Sequence, residues 1–138
     1  MSRDINSLNP MVAAKCLLFI QKCKDNKIDV IITSAYRSPA EQEKLYAVGR
    51  TLPGRKVTNV RGGYSLHQYR CAFDFVPIIN GKAIWDNIEL INKCGLLGES
   101  CGLEWSGRWK KFPERLHFQD TGGLTLAQLQ AQAKVKVA

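Results

Sequence analysis

The run Ala72-Phe73-Asp74-Phe75-Val76 constrains this chain more than any other, because it sets a carboxylate in a stretch that otherwise belongs to a core. It reads as a strand, whose two-residue period sends Phe73 and Phe75 to one face and Asp74 to the other. A carboxylate among core neighbours is costly unless something pairs with it or coordinates it. One of only two histidines, His67, stands seven residues upstream. The other, His117, lies in Leu116-His117-Phe118-Gln119, a second short strand with apolar flanks on one face and the imidazole on the other. If the two strands share a sheet, His67, Asp74 and His117 converge on one point. Two imidazoles and a carboxylate suit a catalytic zinc ion, with a fourth position left for water.

The rest of the chain supplies elements for such a sheet. Asn9-Pro10 opens a helix near residues 10–26, with Val12, Ala13, Cys16, Leu17, Ile20 and Cys23 as its apolar stripe. Residues 29–34 are β-branched and read as a buried strand. This strand runs through Ala35-Tyr36-Arg37 into Ser38-Pro39-Ala40-Glu41, a capping box with proline at the first helical position. The box predicts a second helix over about 39–48, ending at Gly49. Residues 50–63 are basic, glycine-bearing and aperiodic, a long loop of the kind that is often functional. Asn80-Gly81 signals a hairpin returning through Ala83-Ile84-Trp85. Asp86 with Glu89 caps a helix over roughly 87–100, and Gly102 to Trp105 leads to a turn at Ser106-Gly107. Pro113 precedes the last strand, Thr125 with Gln128 caps a final helix, and Lys134 to Ala138 frays. The outline is one α+β domain over residues 1–138, with a small, mainly antiparallel sheet. One face of that sheet carries the site and helices pack on the other.

Charge narrows the partners. Twenty Lys and Arg against twelve Asp and Glu give +8, which favours nucleic acid, anionic lipid or a polyanionic wall polymer. A non-enzymatic module binding nucleic acid or acidic polymer would use Lys24, Lys27, Arg50, Arg55, Lys56, Arg61, Arg108, Lys110 and Lys111. These are scattered rather than striped, and no nucleic-acid motif accompanies them. No apolar run has the length of a membrane span, and Met1-Ser2-Arg3-Asp4 does not begin a signal peptide. The five cysteines are odd in number and lack CxxC spacing, so they read as reduced core residues.

Four further residues bear on chemistry. Glu114, three before His117, could pass a proton between water and a leaving amine, or be a solvated charge beside Arg115. Arg37, where a strand gives way to a capped helix, could fork onto a substrate carboxylate or an oxyanion; its plainer role is an ion pair with Glu41. Ser65 could donate to a substrate or only shape the turn after Gly62-Gly63. Trp105, Trp109 and Phe112 could wall a cleft or fill a core.

Taken in order, Ser34-Ala35-Tyr36-Arg37-Ser38-Pro39-Ala40-Glu41-Gln42, Ser65-Leu66-His67 with Asp74, and Trp105 to Glu114-Arg115-Leu116-His117-Phe118-Gln119 resemble the M15 peptidase family. That family includes D-Ala-D-Ala carboxypeptidases and dipeptidases, and L-alanyl-D-glutamate endopeptidases found among phage endolysins. The hedgehog signalling domain shares its fold, a warning that such a zinc site can persist without a proven hydrolytic role. The resemblance implies one zinc ion held by His67, Asp74 and His117, with Glu114 as the catalytic acid and base and Arg37 on the substrate or transition state. It also implies Ser65 and Gln42 as substrate-binding residues. Arg70-Cys71, where relatives often have a small residue, departs from the pattern and puts substrate preference in doubt. A basic chain without a signal peptide resembles an endolysin more than a secreted carboxypeptidase. The expectation is a monomer, made in the host cytoplasm and acting on peptidoglycan in the periplasm once the membrane is permeabilised, with no nucleic acid and no membrane anchor. The bond expected to be cut is L-Ala–D-Glu, with a D,D- or L,D-carboxypeptidase as the alternative.

Overall fold

Phe19, Phe73, Phe75 and Phe118 meet at the centre of the protein, which a computed structural model describes over residues 2–137. Their ring centroids lie 4.8 to 6.2 Å apart, most of them edge-on or tilted, and all four are fully buried. Three of these rings come from a five-stranded antiparallel sheet and the fourth from a helix laid across it.

The strands are β1 (Asp29–Ser34), β2 (Ala72–Ile79), β3 (Lys82–Ala83), β4 (Glu104–Trp105) and β5 (His117–Gln119). They run in the order β1-β2-β5-β4, with β3 hairpinned onto the end of β2. Asn80 and Gly81 both have positive φ (52° and 76°), which the twist of a two-residue hairpin requires. β1 is an edge strand rather than a fully buried one. Ile31 is 41% exposed while Ile32 and Ser34 are buried, because only one face of β1 meets the core.

Helix α1 (Pro10–Asp25) starts as expected, the Asn9 side chain accepting from the Val12 N–H with proline at the first position. Its buried stripe is Val12, Cys16, Phe19 and Cys23, so the expected stripe is rotated: Leu17 is 57% exposed. At 3.6 residues per turn Leu17 lies about 140° round from Val12, whereas Phe19 lies within about 20°. Helix α3 (Ile88–Ser100) is capped by Asn87, whose side chain accepts from the Leu90 N–H, and not by Asp86. The buried face of this helix is Ile91, Cys94, Gly95 and Gly98. A Cβ on Gly95 or Gly98 would stand 2.2 Å from the Trp105 or Phe118 ring, so α3 lies directly on β4 and β5. All five cysteine thiols are free and buried, and burial pushes that of Cys16 up to about 12.

Helices α1 and α3 form the layer behind the sheet. Helix α2 (Pro39–Ala47), with the Ser38–Glu41 capping box in place, and α4 (Leu126–Val137) border the opposite face. Thr125 and Gln128 cap α4 reciprocally. The fraying expected for Lys134 to Ala138 reaches outside the described residues at Ala138; up to Val137 the backbone is helical. The loop after α2 is tied down: Arg50 donates to the Tyr46 and Thr58 carbonyls, and Arg61 pairs with Glu43 at 3.0 Å. Among the described residues no helix is long and apolar enough to cross a membrane.

Candidate active site

Period two on β2 does what the sequence requires of it: Phe73 and Phe75 are fully buried, and Asp74 faces the other way. Asp74 is the direct cross-strand partner of His117 on β5 and of Ser34 on β1. His67 arrives from a 3-10 helix, Leu66–Tyr69, which Ser65 and Gln68 cap reciprocally. Arg70 ends that turn in the left-handed region (φ 62°) and aims the chain into β2. Its guanidinium lies 4.1 Å over the Tyr36 ring and donates to the Ser7 carbonyl, while Cys71 is buried. Local packing takes up this departure from the family pattern, and neither side chain lines the cleft.

The three groups converge. One carboxylate oxygen of Asp74 lies 2.8 Å from His117 Nδ1 and 3.3 Å from His67 Nε2. One candidate ligand atom from each residue falls within 4.8 Å of the others. The remaining ring nitrogens are held from behind. His67 Nδ1 lies 2.8 Å from the Ala35 carbonyl, which can only accept, so Nδ1 carries the proton and Nε2 faces the site. His117 Nε2 lies 3.0 Å from Gln119 Oε1, and the Gln119 amide nitrogen donates to Glu104. The carboxamide oxygen therefore faces His117, whose Nε2 carries the proton and whose Nδ1 faces the site.

Burial opposes charge on both partners, but their attraction wins. The hydrogen bonds from His117 and His67 hold the Asp74 carboxyl well below the usual carboxylate range. The Asp74 carboxylate, and behind it Glu114, raise His117 above the usual imidazole range. This pocket of lone pairs demands a positive centre, which a proton or a divalent cation can supply.

Arg37 points into the site. It donates to Gln42 Oε1 at 2.9 Å and to Ser34 Oγ at 3.1 Å, and its guanidinium is 3.7 Å from Asp74. The ion pair with Glu41 is not made; the Glu41 carboxylate accepts from the Ser38 N–H of the helix cap. Gln42 is 1% exposed and stands behind Arg37, its amide nitrogen donating to the Val60 carbonyl at 2.7 Å. Ser65 borders the cleft, and its hydroxyl oxygen accepts from the His67 N–H at 3.3 Å. Glu114 has its backbone fixed by a bond to the Ser106 carbonyl. Its carboxylate lies 3.8 Å from His117 Nδ1 with the side chain 54% exposed.

All of these line one cleft of about 890 Å³. Trp109 walls it, whereas Trp105 is buried in the core and Phe112 is 78% exposed outside it. Trp85 and Gln119 also line it, and neither is among the candidate site residues named from the sequence. Gln119 was within reach, since period two from His117 puts it on the same face. The donor set fits a zinc ion: two neutral nitrogens and one carboxylate oxygen, each histidine oriented by a second partner, opening onto a cleft.

Residues 58–120 match the M15 peptidase family described as D-alanyl-D-alanine carboxypeptidase. The chain is 35% identical over 123 residues to the peptidoglycan L-alanyl-D-glutamate endopeptidase CwlK of Bacillus subtilis (strain 168), covering 83% of this chain and 74% of that protein. Among solved structures, the Serratia marcescens L-Ala D-Glu endopeptidase ChiX superposes with a TM-score of 0.64 at 20% identity, over 85% of this chain and 83% of that one. A variant of the vancomycin resistance D,D-pentapeptidase VanY, in complex with Zn(II), does so with a TM-score of 0.63 at 14% identity, over 91% of this chain and 79% of that one.

Proposed function

The chain belongs to the M15 family of zinc peptidases, and from that premise we propose that it cuts the L-Ala–D-Glu bond of peptidoglycan stem peptides. It is a peptidoglycan hydrolase; the bond is the finer step. What carries the reading is the convergence of His67, Asp74 and His117 on one point, with Glu114 and Arg37 within 4 Å of that triad.

His67 Nε2, Asp74 and His117 Nδ1 would hold the zinc. Once bound, the ion supplies Lewis acidity, polarising the scissile carbonyl and making water acidic enough to attack near neutral pH. Glu114, at the open side of His117, takes the proton from the attacking water and returns it to the departing amine. Arg37 cannot swing away, because Gln42 and Ser34 grip both terminal nitrogens, so its charge waits where the carbonyl oxygen becomes negative. Gln42 acts on the substrate through Arg37, and Ser65 through the turn that presents His67.

Digestion of purified peptidoglycan followed by mass spectrometry of the new termini tests the bond. New N-terminal D-Glu and C-terminal L-Ala are expected. Release of only a C-terminal residue would favour a carboxypeptidase, the reading suggested by the family description. Neither product would end both. The lytic setting belongs to the same proposal: a monomeric, single-domain endolysin drawn to an anionic wall by its +8 charge. CwlK is a bacterial protein, so a phage origin rests on the sequence resemblance alone. Loss of turbidity of permeabilised cells, absent when zinc is removed, checks the lytic use.

A further inference from the structure

Two lysine or arginine side chains line the cleft among the described residues, Arg37 and Arg115. Arg37 is committed to Gln42, Ser34 and the edge of Asp74. The Arg115 side chain makes no hydrogen bond or ion pair among the described residues, and the adjacent Glu114 carboxylate turns to His117 instead. The nearby Arg108 is already paired, with Glu99.

Arg115 is an exposed residue of the turn that leads into β5, directly after Glu114 and two residues before His117. The Trp105 indole N–H donates to the Arg115 carbonyl at 2.9 Å, pinning the main chain while leaving the guanidinium loose. Arg115 also lines a neighbouring cavity of about 400 Å³ with Asn92 and Leu96, so it stands on the divide between that cavity and the cleft. An arginine at a cleft rim without a protein partner has its forked donors free for a carboxylate.

We propose that Arg115 reads a free carboxylate on the residue immediately after the scissile bond. This rests on the reading above. A glutamyl residue that carries a peptide onward through one of its two carboxyl groups leaves the other free. In an L-Ala–D-Glu substrate that second group is close to the amide being cut. A forked pair of hydrogen bonds to it would hold the amide in register with Glu114, and would discriminate against stems in which that group is a carboxamide.

The experiment uses two synthetic stem peptides that differ only at this group, carboxylate or carboxamide, with kcat/KM measured for wild type, Arg115→Gln and Arg115→Lys. Wild type should prefer the acid by about 10- to 100-fold, the range of a charge-assisted hydrogen bond at a partly open site. Arg115→Gln should bring the ratio near one, mainly through KM, and Arg115→Lys should restore part of it. Both variants should melt with wild type, since the side chain holds nothing in the fold. A ratio near one in wild type, or a ratio unmoved by Arg115→Gln, overturns the assignment. If wild type cuts neither peptide at L-Ala–D-Glu, the proposed bond falls and this inference falls with it.

Discussion

Glu114 is the one carboxylate lining the cleft, among the described residues, that stands outside the converging triad. It therefore can be removed without dismantling the ligand set. Glu114→Gln should lower kcat by about 10²- to 10⁴-fold, the usual worth of a general acid and base, while one equivalent of zinc stays bound. Metal analysis beside the rate separates the two, and substantial turnover would take Glu114 out of that role. Gln119→Leu should act the other way. It removes the acceptor of the His117 Nε2–H, so zinc affinity should fall about 10- to 100-fold in a chelator competition. The meeting of His67, Asp74 and His117, with Glu114 and Arg37 beside them, was legible in the sequence because few residue types suit such a cluster and local pattern fixes their direction. The contacts of Gln42 and Ser65 were not. A carboxamide or hydroxyl can serve a substrate, a cap or a neighbour equally well, and the partner that engages the Gln42 amide nitrogen, Val60, is eighteen residues away.

At the level of elements, strands and caps were read from short-range rules and largely stand, while the errors concern which side of an element meets the core. Leu17 and Phe19 are both apolar and two apart in α1, and only tertiary packing chooses between them. β1 is β-branched enough to be central, yet nothing in its own residues says that no strand lies beyond it. Asp86 and Asn87 are both good caps, and it is the Asn87 side chain that accepts from the Leu90 N–H. One contact between elements carries a pH signature. Lys15 of α1 pairs with Asp120 at the end of β5, both side chains mostly shielded. Burial opposes the charge on Asp120, but Lys15 and the Gly122 N–H together lower its pKa. A lowered folded pKa means stability that is complete above the ordinary value of about 4 and drains away as pH falls through the folded one. Asp120→Asn should therefore cost about 1 kcal/mol near neutral pH and progressively less in acid. Denaturant midpoints across that range check it, and a pH-independent cost would mean that the ion pair is not the source.

For the molecule as a whole, the metal would be a cross-link as well as a reagent. His67, Asp74 and His117 come from three separate segments, and an ion that binds them only when folded adds about 2.7 kcal/mol at a hundredfold excess over its Kd. Chelation should lower Tm by about 5–10 °C, with recovery on adding zinc but not magnesium, as calorimetry would show. The fold itself was open to inspection in the sequence, since alternation, capping and hairpin signals are local; the closing of the loop over α2 by Arg50 and Arg61 was not, because it depends on contacts across unpatterned chain. Asp74 and His117 face each other on one rung of a hydrogen-bonded ladder, whereas much of the cleft wall is borrowed from turns and from helices. Reactivity and taste are thus inherited separately in this architecture. Exchanging the outer loops for those of a cousin would rewrite which stem is chosen and leave the engine underneath running unchanged.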